Sequence, residues 1–131
     1  MDASLGQRVG DVWMTSRGAV RPNFGRHDNE NDALRDIVER LVAELRPAMI
    51  WLFGSRARGD ARQDSDFDLL VVATAASAFG GDDYEKVDAP LRESGIGADV
   101  VPCTLEDFRE ALEIKTSFVS RVVREGRLLG F

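Results

Sequence analysis

Two aspartates, Asp66 and Asp68, lie one residue apart at the start of an apolar segment that reads DFDLLVVA. In a β-strand, residues i and i+2 point to the same face of the sheet, so the two carboxylates are expected to be close neighbours. Placing two like charges together is unfavourable unless a counter-charge lies between them. Because Mg²⁺ prefers carboxylate and phosphate oxygens, the pair predicts a magnesium site.

A polar turn that leads into the strand is the alternative interpretation of these acids. It suits Asp64 and Ser65, which precede the apolar residues. It does not suit Asp68, because Phe67 precedes it and the run LLVV follows it. A continuous apolar run of this kind is typical of a strand that is buried on both faces.

A third carboxylate, Asp99, is the only acid in the otherwise apolar segment ADVVPC. Alone, it would be explained by an exposed position on an edge strand. Beside a strand that carries Asp66 and Asp68, it would complete a triad of acids. Such a triad can hold one or two metal ions and leave an oxygen free to take a proton from an attacking hydroxyl.

A glycine-serine turn, Gly54-Ser55, ends the apolar segment AMIWLF and begins a short arginine-rich stretch. A strand-to-helix turn of this type offers backbone N–H groups and a hydroxyl to an anion. Gly54 also lets a phosphate approach the backbone without a Cβ in the way. The turn is a weak signal alone, and the chain has no GxxxxGK[ST] motif that would indicate a Walker-type phosphate loop.

The elements that position these residues alternate between helices and strands. A helix is predicted after Asn31, its expected N-cap, and Pro47 ends it. Its apolar stripe consists of Leu34, Ile37, Val38, Leu41, Val42 and Leu45. Three strands are predicted over Ala48–Phe53, Phe67–Ala73 and Ala98–Cys103.

Helices are also predicted between and after these strands. The segment DDYEKVDAPLRESG has helical spacing, although Pro90 interrupts its end. A capping box from Thr104 to Asp107 opens another helix, and Ser117 is the expected cap of a final helix that Gly126 ends. The last residues, 127–131, are predicted as a short tail or an edge strand.

The order of these elements predicts a two-layer α/β (α+β) fold, with a small mixed sheet and helices packed on one face. Residues 1–30 show no periodicity and are predicted to be an irregular or flexible tail. Residues 31–131 are predicted to form the single folded domain.

Composition excludes several classes of protein. The chain has 131 residues, 17 basic and 23 acidic side chains and a net charge of -6, which argues against direct nucleic-acid binding. The single cysteine, Cys103, suits a reducing compartment. No secretory leader is visible, and the run AMIWLF is too short to span a bilayer, so we expect a cytoplasmic protein without membrane contact.

The spacing of Gly54-Ser55, Asp66-Phe67-Asp68 and the separate Asp99 resembles the active site of the DNA polymerase β-like nucleotidyltransferase superfamily. The fuller string GSRARGDARQDSDFDLLV resembles the minimal nucleotidyltransferases (MNT), the antitoxin components of HEPN/MNT toxin–antitoxin pairs. The resemblance begins at about Ala33 and extends to the C-terminus. It implies the nucleotidyltransferase fold of the polymerase β-like proteins.

The resemblance also implies roles for individual residues. Gly54, Ser55 and Arg56 would hold ATP as the nucleotide donor, with Arg56 favoured over Arg58 as the arginine that neutralises phosphate charge. The three aspartates would bind Mg²⁺, and Asp99 would also serve as the base. Solvated arginines that balance nearby acids remain the alternative for both arginines.

The function implied is transfer of AMP from ATP to a tyrosine of a HEPN-domain ribonuclease, which neutralises this toxin partner and allows a hetero-oligomer. One alternative is a non-catalytic antitoxin that neutralises its partner by occlusion, although the intact aspartates argue against a lost activity. Another is a nucleotidyltransferase with a different acceptor, either a small molecule or, less in keeping with the acidic charge, RNA.

Overall fold

The computed structural model describes the backbone of residues 7–9, 12–15, 18–20 and 22–130. The first three ranges are strands β1 (Gln7–Val9), β2 (Val12–Thr15) and β3 (Gly18–Val20), which pair antiparallel in the order β1-β2-β3. Here the structure differs from the irregular tail predicted for residues 1–30. Strands this short give no periodic signal that a sequence pattern could reveal. The other residues before position 22 lie outside the described part of the chain.

Helix α1 (Glu30–Leu45) begins at Asn29, whose side chain accepts a hydrogen bond of 2.8 Å from the Asp32 N–H. The prediction of Asn31 as the N-cap is therefore wrong, because Asn31 lies inside the first turn. The predicted apolar stripe is confirmed, and the buried residues of α1 are Ala33, Leu34, Ile37, Leu41 and Leu45. The helix ends at Arg46, which has a left-handed backbone with φ of 50°.

The main sheet has the strand order β6-β5-β4-β7. Its strands are β4 (Met49–Phe53), β5 (Phe67–Ala73), β6 (Ala98–Thr104) and β7 (Arg127–Gly130). Strands β5 and β6 run parallel, whereas β4 runs antiparallel to both β5 and β7. The three predicted strands are confirmed, and of the two alternatives for the C-terminal residues the edge strand is correct.

Four further helical segments connect these strands. They are α2 (Ser55–Arg58), α3 (Tyr84–Asp88), α4 (Leu105–Leu112) and α5 (Phe118–Glu125), and a 3₁₀ turn over Ala89–Leu91 follows α3. The predicted N-caps of α4 and α5 are confirmed, since Thr104 Oγ1 accepts from the Asp107 N–H at 3.1 Å and Ser117 Oγ accepts from the Ser120 N–H at 3.0 Å. Within the described residues, no helix has the length and apolar character needed to cross a membrane.

The core forms two clusters, one on each face of the main sheet. On one face, α1 packs against a cluster that includes Leu52, Leu69 and Val71. On the other face, Leu70 and Val72 pack against the helical residues Phe108, Val119 and Val122. The predicted mixed α/β fold is confirmed, but helices cover both faces of the sheet rather than one. The run LLVV on β5 is apolar on both sides, so each side has to be covered.

Candidate active site

Asp68 and Asp99 are direct neighbours across the parallel pair β5–β6. Adjacent strands are about 4.8 Å apart, and residues in register point to the same face, so the two carboxylates share one surface. Asp66 lies just before β5, where the Phe67 N–H donates a 2.9 Å hydrogen bond to the Gly97 carbonyl. The structure thus brings the three predicted acids to the ends of two neighbouring strands.

The charge of Asp68 is poorly compensated in this position. Partial burial raises the pKa of Asp68, and the negative charges of Asp99 and Asp66 raise it further. The positive charge of Arg58 opposes this shift without cancelling it. Three neighbouring carboxylates offer the oxygen ligands that a divalent cation prefers. A cation bound between them would relieve their mutual repulsion.

Gly54 lies directly against the carboxylate of Asp68. The last residue of β4, Phe53, pairs with Asp68, so the turn that follows β4 passes beside that side chain. A Cβ on Gly54 would collide with Asp68 Oδ2, and the φ of 75° is itself a conformation that favours glycine. The phosphate-type turn is therefore in contact with Asp68.

A cavity of about 460 Å³ opens beside this turn. Its walls are formed by Gly54, Ser55, Arg58 and Asp68 on the sheet side, and by α5 opposite. The α5 residues are Phe118, Arg121, Val122 and Glu125, and Phe53 completes the lining. The volume is in the range of sites for small organic ligands, and the walls combine apolar rings with two arginines.

Phe118 and Arg121 line the cavity, although no sequence motif marks them as site residues. Phe118 is 40% exposed, and its ring meets the Phe53 ring edge-to-face with centroids 5.2 Å apart. The sequence showed α5 only as an amphipathic helix, in which an aromatic residue on the apolar side is expected in the core. Only the tertiary position of α5 brings these side chains to the cavity.

Asp66 and Asp99 do not line this cavity. Asp99 is exposed and borders a shallower depression of about 220 Å³ near Tyr84 and Arg92. Asp66 Oδ1 accepts a 2.8 Å hydrogen bond from the Asn23 side chain. The three aspartates therefore surround the end of the strands, with Asp68 alone reaching into the cavity.

Acidic oxygens approach more closely elsewhere in the described part of the chain. Glu106, Asp107 and Glu110 bring three carboxylate oxygens within 4.8 Å of one another, a distance that the three strand aspartates do not reach. This exposed group lies on α4, and Glu106 and Asp107 are in its first turn, where the helix dipole favours negative charge. The helix dipole accounts for it without a ligand.

Arg56, predicted to contact phosphate, is placed away from the cavity. Its side chain is only 5% exposed, and its guanidinium donates to the Ser65 carbonyl at 2.9 Å and to the Gln63 carbonyl at 3.2 Å. A further contact of 3.4 Å joins it to Glu30 on α1. The prediction for Arg56 has to be corrected, because these donors are engaged within the protein.

Two aromatic rings lie against the same guanidinium. Its central carbon lies 5.1 Å from the Phe24 ring centroid and 4.9 Å from the Phe67 centroid. Arg58 is two residues further along the single turn of α2, so it points elsewhere and lines the cavity with a side chain that is 48% exposed. The choice between the two arginines depends on this orientation, which the sequence does not encode locally.

Comparison with known proteins shows the family of this chain. Residues 32–129 match the protein family described as "Nucleotidyltransferase domain". The chain therefore belongs to the nucleotidyltransferase family, and the predicted relationship to the minimal nucleotidyltransferases is confirmed. It is accordingly an enzyme that transfers nucleotidyl groups.

Two curated relatives are similar over most of their length. One is "Putative protein adenylyltransferase MJ0604" of Methanocaldococcus jannaschii, 33% identical over 103 residues that cover 77% of this chain and 98% of that protein. The other is "Probable protein adenylyltransferase MntA" of Haemophilus influenzae, 31% identical over 98 residues that cover 69% of this chain and 81% of that protein.

Two solved structures are also similar to this chain. One is described as a "putative nucleotidyltransferase" from Sulfolobus solfataricus, with 24% identity, a TM-score of 0.48, and coverage of 72% of this chain and 75% of that chain. The other is described as "the toxin-antitoxin with AMP-PNP", with 26% identity, a TM-score of 0.49, and coverage of 74% and 72%.

Replacement of Asp68 by asparagine is expected to stabilise the protein at about pH 7. Because the pKa of Asp68 is raised in the folded state, the folded protein holds this proton more tightly than the unfolded chain does. The stabilising contribution of the proton is present below the unfolded pKa and is lost as the pH rises through the folded pKa. Thermal melting of Asp68→Asn should give a midpoint a few degrees above wild type at about pH 7.

The difference should shrink as the pH is lowered toward the ordinary pKa of an aspartate. Asp64→Asn is the matched control, because Asp64 is exposed and lies just outside the acidic cluster. A midpoint that is unchanged or lowered in Asp68→Asn at about pH 7 would show that the carboxylate is not under electrostatic strain.

Substitution of the two arginines of α2 should change the free energy of unfolding by clearly different amounts. Arg56→Ala removes buried hydrogen bonds to two loop carbonyls and should lower the free energy of unfolding in urea by about 2–4 kcal/mol. Arg58→Ala removes an exposed side chain and should change it by less than about 0.5 kcal/mol. Equal effects of the two substitutions would contradict the structural role given to Arg56.

Proposed function

We propose that this nucleotidyltransferase is a Mg²⁺-dependent protein adenylyltransferase that moves AMP from ATP onto a partner protein, a HEPN-domain toxin, and so acts as an antitoxin. The observation that carries the proposal is the contact between the Gly54 turn and Asp68, which joins a phosphate-type turn to an acidic pair at one end of a cavity. The curated relatives, both named protein adenylyltransferases, support AMP and a protein acceptor as the substrates.

The residues present fit a divalent cation. Asp66, Asp68 and Asp99 would hold it through oxygen, and the raised pKa of Asp68 reflects the repulsion that a cation would remove. When bound, the ion would neutralise charge on the triphosphate and on the departing pyrophosphate. To share one ion, the side chains of the three carboxylates would have to lie closer together than they do in this structure.

The cavity wall offers contacts for each part of the nucleotide. The backbone and hydroxyl at Gly54 and Ser55 face the expected triphosphate, and Arg58 and Arg121 supply positive charge. The ring of Phe118 provides a face on which a nucleobase can stack. Positioning of this kind is the main requirement for in-line attack at a phosphorus atom.

The reaction needs one proton acceptor and no covalent enzyme intermediate. A bond forms between the acceptor hydroxyl oxygen and the α-phosphorus, and the bond from that phosphorus to the bridging oxygen breaks, releasing pyrophosphate. We assign the hydroxyl proton to Asp99, because this carboxylate is exposed toward an incoming acceptor, whereas Asp68 is partly buried. Asp68 and Asp66 would act as ligands only, whereas Asp99 would be both a ligand and the base.

An acceptor protein has an apolar surface to contact next to the cavity. Leu112, Ile114 and Phe118 are 41%, 59% and 40% exposed, and all three lie at the junction of α4 and α5. Exposed apolar side chains grouped in this way are common in surfaces that bind another protein. Two alternatives remain, which the next experiment separates. The protein could block its partner without any reaction, or it could transfer the nucleotide to a small molecule.

Label transfer tests the enzyme against the occlusion alternative. ATP radiolabelled at the α-phosphate should label the proposed HEPN-domain partner in the presence of Mg²⁺, whereas label at the γ-phosphate should not be transferred. Asp68→Ala should lower the transfer at least about 100-fold, because it removes a carboxylate that would hold the cation against the reacting phosphates. Asp64→Ala, which alters an exposed aspartate in the loop before β5, is the control and should transfer like wild type.

Neutralisation of the toxin by Asp68→Ala at the wild-type level would favour occlusion. Labelling of a small molecule in place of the partner would favour the second alternative. Either result would overturn the proposal of protein adenylylation.

The assignment of Arg58 to the triphosphate predicts a selective effect on substrate affinity. Arg58→Ala should raise the KM for ATP by about tenfold, as expected from the loss of one charge-assisted contact. Arg62→Ala, an exposed arginine on the following loop that does not line the cavity, should leave the KM unchanged. Steady-state transfer measured over a range of ATP concentrations distinguishes the two variants, and an unchanged KM in Arg58→Ala would exclude the contact.

A further inference from the structure

Residues 22–27, which we call the N-terminal strap, lie across the ends of β5 and β6 where the candidate metal ligands are found. The Asn23 N–H donates to the Gln63 carbonyl at 3.3 Å, and the Asn23 carbonyl accepts from the Gly97 N–H at 3.3 Å. Phe24 forms an isolated antiparallel bridge with Ile96. The strap thus joins the loop before β5 to the turn before β6.

The side chain of Asn23 binds a candidate metal ligand directly. Its Nδ2 donates to Asp66 Oδ1 at 2.8 Å and to the Asp64 carbonyl at 2.7 Å. A side-chain amide nitrogen has two hydrogens, so both are engaged. Asp66 is therefore held through one oxygen, and its other oxygen is left for a cation.

Gly97 supplies an independent observation for the same contact. A Cβ at this position would lie 2.6 Å from Asn23 Cγ, Asn23 Nδ2 and Asp66 Oδ1, closer than real Cβ atoms approach other atoms. Gly97 does not have the positive φ that would otherwise explain a glycine. The space that Gly97 leaves is filled by the hydrogen-bonded pair of Asn23 and Asp66.

The strap is also firmly anchored at the next residue. Phe24 is only 8% exposed, its ring lies 6.1 Å from the Phe67 ring, and the buried guanidinium of Arg56 lies against both rings. Phe67 is the residue between Asp66 and Asp68. The backbone of Asn23 is thus fixed relative to the acids that its side chain orients.

We propose that Asn23 is a positioning residue that holds Asp66 in the orientation needed to bind the divalent cation. The inference rests on the proposed function, and it extends the site to a segment that precedes the family match at residues 32–129. Hydrogen bonds that orient metal ligands typically change metal affinity or activity by 10–100-fold when they are removed, so we expect an effect of roughly that size.

The test measures binding of Mn²⁺ as a spectroscopic substitute for Mg²⁺. Free Mn²⁺ is titrated against the full chain by electron paramagnetic resonance, in the presence of a non-hydrolysable ATP analogue. Asn23→Ala should weaken Mn²⁺ binding by roughly 10–100-fold. Transfer activity should recover toward the wild-type kcat at saturating Mg²⁺, because Asn23 does not touch the substrate.

A matched control separates metal positioning from general loss of stability. Thr104→Ala removes the N-cap of α4 at the opposite end of β6 and should lower the thermal unfolding midpoint by a few degrees without changing Mn²⁺ affinity. Asn23→Leu, which approximates the shape of asparagine but cannot donate a hydrogen bond, should weaken Mn²⁺ binding like Asn23→Ala. It provides the measurement if the alanine variant does not fold.

Each outcome decides the proposal. Mn²⁺ affinity that is unchanged or increased in a folded Asn23 variant overturns the role of Asn23 while leaving the proposed function intact. If the wild-type protein binds Mn²⁺ no better than Asp68→Ala does, both proposals are overturned. Weaker binding in both Asn23 variants but not in Thr104→Ala supports the positioning role.

Discussion

The structure depends on the placement of two like charges side by side. The parallel register of β5 and β6 sets Asp68 opposite Asp99, and the turn at Gly54 presses against Asp68 from β4. Repulsion and partial burial both raise the pKa of Asp68, so the folded protein is under electrostatic strain at this point. The arrangement persists because the rest of β5, from Leu69 onward, is buried on both faces of the sheet.

A buried cation on the opposite face of β5 organises the loop that leads to these acids. Arg56 binds the carbonyls of Gln63 and Ser65, and its guanidinium lies against Phe24 and Phe67. The contacts of Arg56 thereby fix the loop between α2 and β5, and Asp66 follows directly after the residues that Arg56 binds. The same network fixes the strap that carries Asn23, so one arginine supports both the ligand and the residue that orients it.

Local patterns in the sequence predicted most of the fold, whereas contacts between distant residues decided the rest. The stripe of α1, the limits of β5 and the caps at Thr104 and Ser117 follow from short-range rules, and the structure agrees with them. The spacing of the aspartates predicted that they would lie near one another on neighbouring strands. The roles of Arg56, Phe118 and Asn23 depend on how loops and α5 pack against the sheet, which no local spacing encodes.

The electrostatic strain at Asp68 also links stability to ligand binding. A group of acids that repel one another in the free protein gains most when a cation arrives, because the repulsion that destabilised the fold becomes attraction to the ligand. A ligand that binds only the folded state stabilises that state. The gain grows with the logarithm of the ratio of the ligand concentration to the dissociation constant. A rigid sheet holds the backbones of Asp68 and Asp99 in register, and a strap holds Asp66, so only side-chain movement remains to oppose binding.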